Sequence, residues 1–126
     1  MTMKISLSVL TAMTILLTTS ASANDDKSQI LEQLKLLQQQ GKTQASTYQY
    51  SDTTQLTQCA DNAQPFRDQA KQLQKTILES NDVVFRMPAY QAADLAFQCV
   101  YCSENAISYC EKMTKYITRV EKALAK

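Results

Sequence analysis

The chain contains no histidine and no tryptophan among its 126 residues. Histidine is the commonest general base in enzymes and the commonest protein ligand of transition metals, so its absence removes both chemistries in their usual form. Glycine is almost as scarce, since Gly41 is the only one. Gly-rich phosphate-binding loops and tight glycine hairpins are therefore not available to this protein.

An excess of charge of one sign is also missing, because 13 Lys and Arg residues stand against 12 Asp and Glu residues. A chain with a net charge near zero has no general electrostatic attraction for nucleic acid or for an anionic membrane surface. We therefore predict no nucleic-acid partner and no peripheral membrane binding.

The first 23 residues have the pattern of a cleaved signal peptide. Lys4 precedes an apolar run of 13 residues from Ile5 to Leu17, and Ala21-Ser22-Ala23 follows with the small residues that a signal peptidase recognises. The apolar run is too short to span a bilayer comfortably, although a membrane anchor is the alternative. We predict a signal peptide over residues 1–23, export to the periplasm, and a single domain over residues 24–126.

Helix-forming residues dominate this domain, and its apolar residues recur at helical spacing. Ser28 is a candidate cap for a first helix, which Gly41 would end. Ser51 would cap a second helix, and Pro65 predicts a break or a kink within it. Pro88 would open a third helix, whose face of small residues allows close helix packing. The predicted fold class is all-α, a small disulfide-stapled bundle of four or five helices.

The C-terminal helix has the clearest pattern in the chain. Its apolar residues are spaced 4, 3, 4, 3 and 4 apart, which is a heptad-like seam: Ala106, Cys110, Met113, Ile117, Val120 and Leu124. Such a seam predicts a helix face that is buried in the domain. If the seam is wider than one domain can cover, the alternative is a homodimer through this helix.

The cysteines, Cys59, Cys99, Cys102 and Cys110, could bind metal, perform redox chemistry or cross-link the chain. A structural zinc site needs four ligands, and this chain has one C-x-x-C and no histidine, so we predict no metal and no cofactor. A thioredoxin-like C-x-x-C opens a helix, where the helix dipole lowers the thiol pKa, whereas this one ends a helical stretch. Because an exported protein meets an oxidising compartment, we predict that all four cysteines form disulfides.

The pairing of these cysteines is open, since four allow three arrangements. The preferred arrangement joins Cys59 to Cys99 and Cys102 to Cys110, with a turn at residues 103–105 that brings the second pair together. The second choice joins Cys59 to Cys110 and leaves a local bridge between Cys99 and Cys102.

The segment from Ser80 to Pro88 contains turn residues and then a short apolar run, and we predict a loop there. Its apolar side chains either pack against the bundle or are exposed and bind a partner protein. In the second case we predict that the partner-binding residues are Asp82, Phe85, Arg86 and Met87.

The charges of the C-terminal half are unevenly distributed. Residues 79–104 contain four acids against one arginine, and residues 105–126 contain five basic residues against two acids. A dipolar surface of this kind suits specific docking to another protein.

In size, leader sequence "MTMKISLSVLTAMTILLTTSASA", helicity and cysteine pairs, the chain resembles small periplasmic immunity proteins that neutralise cell-wall-degrading effectors of type VI secretion. The resemblance implies a rigid bundle that inserts a loop into an effector's cleft. It involves no sequence motif, so it assigns no functional residue.

The carboxylates and hydroxyls show no spacing typical of an active site, and we predict that the protein is not an enzyme. The predicted function is that of a non-catalytic periplasmic protein that binds and inhibits a partner protein, such as a peptidoglycan hydrolase effector. One alternative is a helical accessory component of an envelope secretion or conjugation system. A second alternative is a C-x-x-C thiol oxidoreductase.

Overall fold

The computed structural model describes residues 23–126, which form four α-helices: α1 (Ala23–Thr47), α2 (Thr53–Leu78), α3 (Val83–Cys99) and α4 (Ala106–Leu124). The predicted all-α, disulfide-stapled bundle is confirmed for these residues. The predicted signal peptide lies outside the described residues, apart from Ala23 at the start of α1, and it stays a prediction.

Helix α1 is longer than its sequence pattern suggests, because Gly41 does not end it. The buried stripe of α1 continues through this glycine, over Ile30, Leu34, Leu37, Gly41 and Gln44. A Cβ atom built on Gly41 would overlap Cys99 Sγ and would come within 2.7 Å of Cys110 Sγ. Glycine is therefore needed inside the helix for close packing, although it weakens a helix by roughly 1 kcal/mol relative to alanine.

Helix α2 runs through Pro65, so of the two predicted outcomes, a break or a kink, the break is absent. Its N-cap is Asp52, one residue after the predicted Ser51, and the Asp52 carboxylate accepts a hydrogen bond from the backbone N of Thr54 at 2.9 Å. Pro65 lies on the exposed side of α2, and a buried stripe continues on both sides of it. Burial of Cys59, Leu73 and the other residues of this stripe offsets the hydrogen bond that the proline cannot donate.

Helix α3 begins five residues before Pro88, so the predicted loop at residues 80–88 is limited to residues 80–82 and the predicted helix start at Pro88 is wrong. The stripe of α3 starts at Phe85 and continues through small residues at helical spacing, all of them buried: Ala89, Ala92, Ala93, Ala96 and Cys99. Small side chains let neighbouring helices approach closely. As a result, α3 contacts each of the other three helices.

Helix α4 confirms its predicted seam. Five of the six seam residues are buried and Leu124 is half-buried against the core. The seam is covered by α1 and α3, so a second copy of the chain would have to dock on another face of α4. Within the described residues α4 does not contact α2.

The two disulfides join Cys59 to Cys102 and Cys99 to Cys110. Both pairings that the sequence analysis favours are therefore wrong, and the third arrangement is present. Cys99 lies on the buried face of α3 opposite the seam of α4, and this position selects Cys110 as its partner. Cys102 lies beyond the end of α3, where the chain turns back towards Cys59 of α2.

Candidate partner-binding surface

The predicted binding segment forms the start of α3. Asp82 is the N-cap residue, and its carboxylate accepts a hydrogen bond from the backbone N of Phe85 at 3.3 Å. The same carboxylate accepts a hydrogen bond from Lys27 Nζ of α1 at 2.8 Å, which is also an ion pair. Asp82 therefore connects α1 to the first turn of α3.

This contact changes the titration of Asp82. The hydrogen bond from Lys27 lowers the pKa of the Asp82 carboxyl below its ordinary value of 3.8, and the backbone N–H of Phe85 lowers it further. The carboxylate keeps its charge at a pH where a free aspartate would begin to lose it.

Phe85 and Arg86 also have structural roles. The Phe85 side chain is 1% exposed and belongs to the core, with Lys27 Nζ 5.7 Å from its ring centre. Arg86 Nη1 donates a hydrogen bond to the backbone O of Ser80 at 3.0 Å and so closes the turn between α2 and α3. Of the four predicted binding residues, Met87 is the one with a largely exposed side chain, at 60%.

Met87 belongs to an outward face of α3 that the sequence analysis missed. Val84, Met87, Pro88, Gln91 and Leu95 are spaced 3, 1, 3 and 4 residues apart, opposite the buried alanines. Val84 is 61% exposed. The spacing was visible in the sequence, but it becomes a helix face only when the helix starts at Val83.

A flank of α4 lies beside this face. Tyr116 and Arg119 line a recess of about 240 Å³ together with Met87, Pro88 and Gln91. A second recess of about 310 Å³ is lined by residues of both helices: Gln91, Leu95, Lys112, Lys115 and Tyr116. Because Gln91 and Tyr116 line both recesses, the two form one shallow groove. We call the two helix faces and this groove the α3–α4 surface: Val84, Met87, Pro88, Gln91, Leu95, Lys112, Lys115, Tyr116 and Arg119.

The charges of the α3–α4 surface are all positive. Arg119 and Lys115 lie 5.5 and 5.7 Å from the Tyr116 ring centre, and Lys112 lies 5.3 Å from the ring centre of Tyr109. In the part of the chain that the structure describes, the ion pairs involve Lys27 and Lys35 only. Within the described residues, the three cations of the surface thus form no ion pair with an acid.

A larger recess of about 640 Å³ lies where the start of α1 meets the turn between α2 and α3. Its charged lining residues are Asp26, Lys27, Glu79 and Asp82, and Lys27 already pairs with Asp82. Lys27 and Asp82 are therefore not free to bind a ligand in this recess.

The C-x-x-C motif is divided between the two disulfides, since Cys99 pairs with Cys110 and Cys102 pairs with Cys59. All four cysteines are buried. Gln44 Nε2 lies 3.5 Å from Cys102 Sγ and donates a hydrogen bond to the backbone O of Val100 at 3.1 Å. A catalytic dithiol presents one exposed disulfide within the motif, and this arrangement differs from that in both pairing and access.

Residues 23–126 contain no helix that combines the length and the hydrophobicity needed to cross a membrane. Across the same residues, no three acidic or cysteine side chains are grouped as a metal site would need. Comparison with known protein families, with curated proteins and with solved structures finds no match.

Proposed function

We propose that this chain is an exported, non-catalytic protein that binds a partner protein through the α3–α4 surface. The observation that supports this proposal is the exposure of Val84 and Met87 at one end of a concave groove with a tyrosine in its wall. Contiguous exposed apolar side chains with a polar rim are typical of protein-binding sites.

The disulfides add to this argument because they reduce the freedom of the scaffold. Cys99 ends α3 and Cys110 lies near the start of α4, so one cross-link joins the two helices that carry the surface. A surface held rigid before binding loses less conformational entropy when a partner docks.

In the more specific form of the proposal, the protein inhibits its partner, as periplasmic immunity proteins inhibit wall-degrading effectors. The support for this form is the predicted leader, the small helical domain and the two disulfides. The contact would be made by a helix face, because residues 83–87 belong to α3 and do not form a loop.

Site-specific photo-crosslinking in cells that produce the protein tests the binding function. A photoreactive residue is placed at position 84, 87 or 91, and at Gln39 on the exposed side of α1 as a control. We expect a discrete protein adduct at the three surface positions and none at Gln39. If none of the surface positions gives an adduct, the binding proposal is wrong.

A protection assay tests the inhibitor form. The protein is co-expressed in the periplasm with candidate cell-wall hydrolases, and cell lysis is measured. We expect protection against one of them, its loss in Val84→Asp/Met87→Asp, and its retention in Leu36→Asp. Leu36 is a matched control, since it is 64% exposed on α1 and outside the surface. Adducts without protection would favour an accessory role in an envelope machine.

A further inference from the structure

The α3–α4 surface combines an apolar groove with cations of one sign, and this combination restricts the chemistry of what can bind there. We propose that its partner is an acidic protein segment whose carboxylates contact Lys112, Lys115 and Arg119 while a large apolar side chain enters the groove. This inference rests on the proposed function and adds the chemical nature of the partner.

The three cations form a row along α4. They are three and four residues apart and all are exposed. At a rise of about 1.5 Å per residue the row is about 10 Å long. Carboxylates that repeat at helical spacing in a partner segment would match it, since residues three and four apart lie on one side of a helix.

The acids of α3 and α4 leave this row largely free. Glu121 Oε2 lies 3.6 Å from Lys35 Nζ, on the side of α4 that faces α1. Asp94 of α3 accepts a hydrogen bond from Gln74 Nε2 at 3.2 Å, on the side that faces α2. Glu111 precedes Lys112 and is exposed, but its carboxylate is not paired with Lys115 in the described part of the chain. A carboxylate of a partner can therefore pair with these three cations, because the acids of α3 and α4 are not paired with them in the described residues.

The groove between the helices favours a peptide over a lipid surface. It consists of two shallow recesses, and Gln91 lines both of them. An amide offers both a donor and an acceptor, as the backbone of a bound segment requires. The net charge of the whole chain is only +1, so the attraction is local to this surface.

The test is selection from a displayed library of random peptides against the oxidised protein. We expect enriched peptides with several Asp or Glu residues around a Leu, Phe or Tyr. Their affinity, measured by fluorescence anisotropy, should fall by at least about tenfold in Lys112→Glu/Lys115→Glu/Arg119→Glu and should weaken as salt is raised. The control Lys42→Glu/Lys71→Glu/Lys75→Glu changes the net charge equally on α1 and α2 and should bind normally.

Three outcomes overturn the inference. Enrichment of neutral or basic peptides whose binding ignores the α4 reversal would leave the proposed function intact and exclude the acidic partner. No enrichment at all would exclude it too. The third outcome is that the protein sediments with phosphatidylglycerol vesicles but not with phosphatidylcholine vesicles, and that the same charge reversal abolishes this binding. The three cations would then bind a membrane surface and not an acidic protein segment. Neutralisation to Gln at the three positions gives a second variant should the reversal disturb folding.

Discussion

The two ends of the bundle are held together by different interactions. At the cysteine end, where α1 and α3 finish and α2 and α4 begin, both disulfides surround the buried residues Gly41 and Gln44. At the open end, Phe85 packs in the core and the ion pair between Lys27 and Asp82 joins α1 to α3. One end is fixed by covalent bonds and the other by packing and one charge pair.

Of the seven large apolar side chains that are exposed in the described residues, four lie at the open end, and Tyr101 and Ile107 lie at the cysteine end. Val83, Val84 and Met87 lie in the first turns of α3, and Leu78 ends α2, all of them at the open end. The α3–α4 surface begins at this end with Val84 and Met87 and extends along α3 and α4 to Leu95 and Lys112, within one turn of the Cys99–Cys110 disulfide. We infer that the exposed apolar part of the surface lies at the end of the bundle that is not cross-linked, whereas its other end is held by a disulfide.

Removal of the Cys59–Cys102 disulfide, which closes the longer loop, should have the largest effect on the difference between the two ends of the bundle. Cys59 and Cys102 are 43 residues apart, so Cys59→Ala/Cys102→Ala should lower the free energy of unfolding by about 4 kcal/mol in the chain-entropy model. Cys99→Ala/Cys110→Ala, with a separation of 11, should lower it by about 3 kcal/mol. Non-reducing urea denaturation measures both values.

Hydrogen exchange supplies the spatial control for this prediction. In the oxidised protein the backbone amide hydrogens of the open end should exchange with solvent faster than those of the cysteine end. Removal of Cys59 and Cys102 should reduce or reverse this difference in exchange rate. Equal exchange at both ends of the oxidised protein would contradict the division.

Gly41→Ala should destabilise the cysteine end by a smaller amount. A methyl group there overlaps Cys99 Sγ and approaches Cys110 Sγ, so we expect a loss of about 2 kcal/mol, despite the better helix propensity of alanine. Gln39→Ala on the exposed side of α1 is the control and should change stability by less than about 0.5 kcal/mol.

A double-mutant cycle makes the Gly41 prediction specific. In the Cys99→Ala/Cys110→Ala background the sulfur atoms are gone, so the cost of Gly41→Ala should shrink. An unchanged cost would mean that the disulfide is not what requires glycine in α1.

Asp82→Asn should have the smallest effect, and it acts on the open end. Asparagine can still cap α3, so this change removes mainly the charge that faces Lys27. Because the folded-state pKa of Asp82 is lowered, its stabilising contribution is present above the ordinary value of 3.8 and is lost as the pH falls through the lowered pKa. We expect a slightly lower Tm at neutral pH and convergence with the parent protein in acid.

Asp52→Asn is the matched control for that measurement. Asp52 caps α2 in the same way, and in the described residues it is not part of an ion pair. A difference from the parent protein that persists at low pH in Asp82→Asn would rule out the charge pair as its cause.

Helices α4 and α3 show what the spacing of apolar residues can predict and what it cannot. The seam of α4 could be predicted because its six residues recur at alternating spacings of four and three, which place them on one face of a helix. The predicted start of α3 is wrong because Pro88 is a common first helical residue, whereas here Asp82 caps the helix and Phe85 joins the stripe of alanines. As a result, three residues assigned to a binding loop proved to be a cap, a core side chain and a turn contact.

By itself the sequence determined the helical class, the seam of α4 and the close-packing face of α3, because these depend on residue spacing within one segment. The tertiary structure decided the disulfide pairing, the need for Gly41 inside α1 and the groove between α3 and α4. Each of these depends on which atoms of distant segments come within a few ångströms of one another, and that information is not contained in the spacing of any single helix.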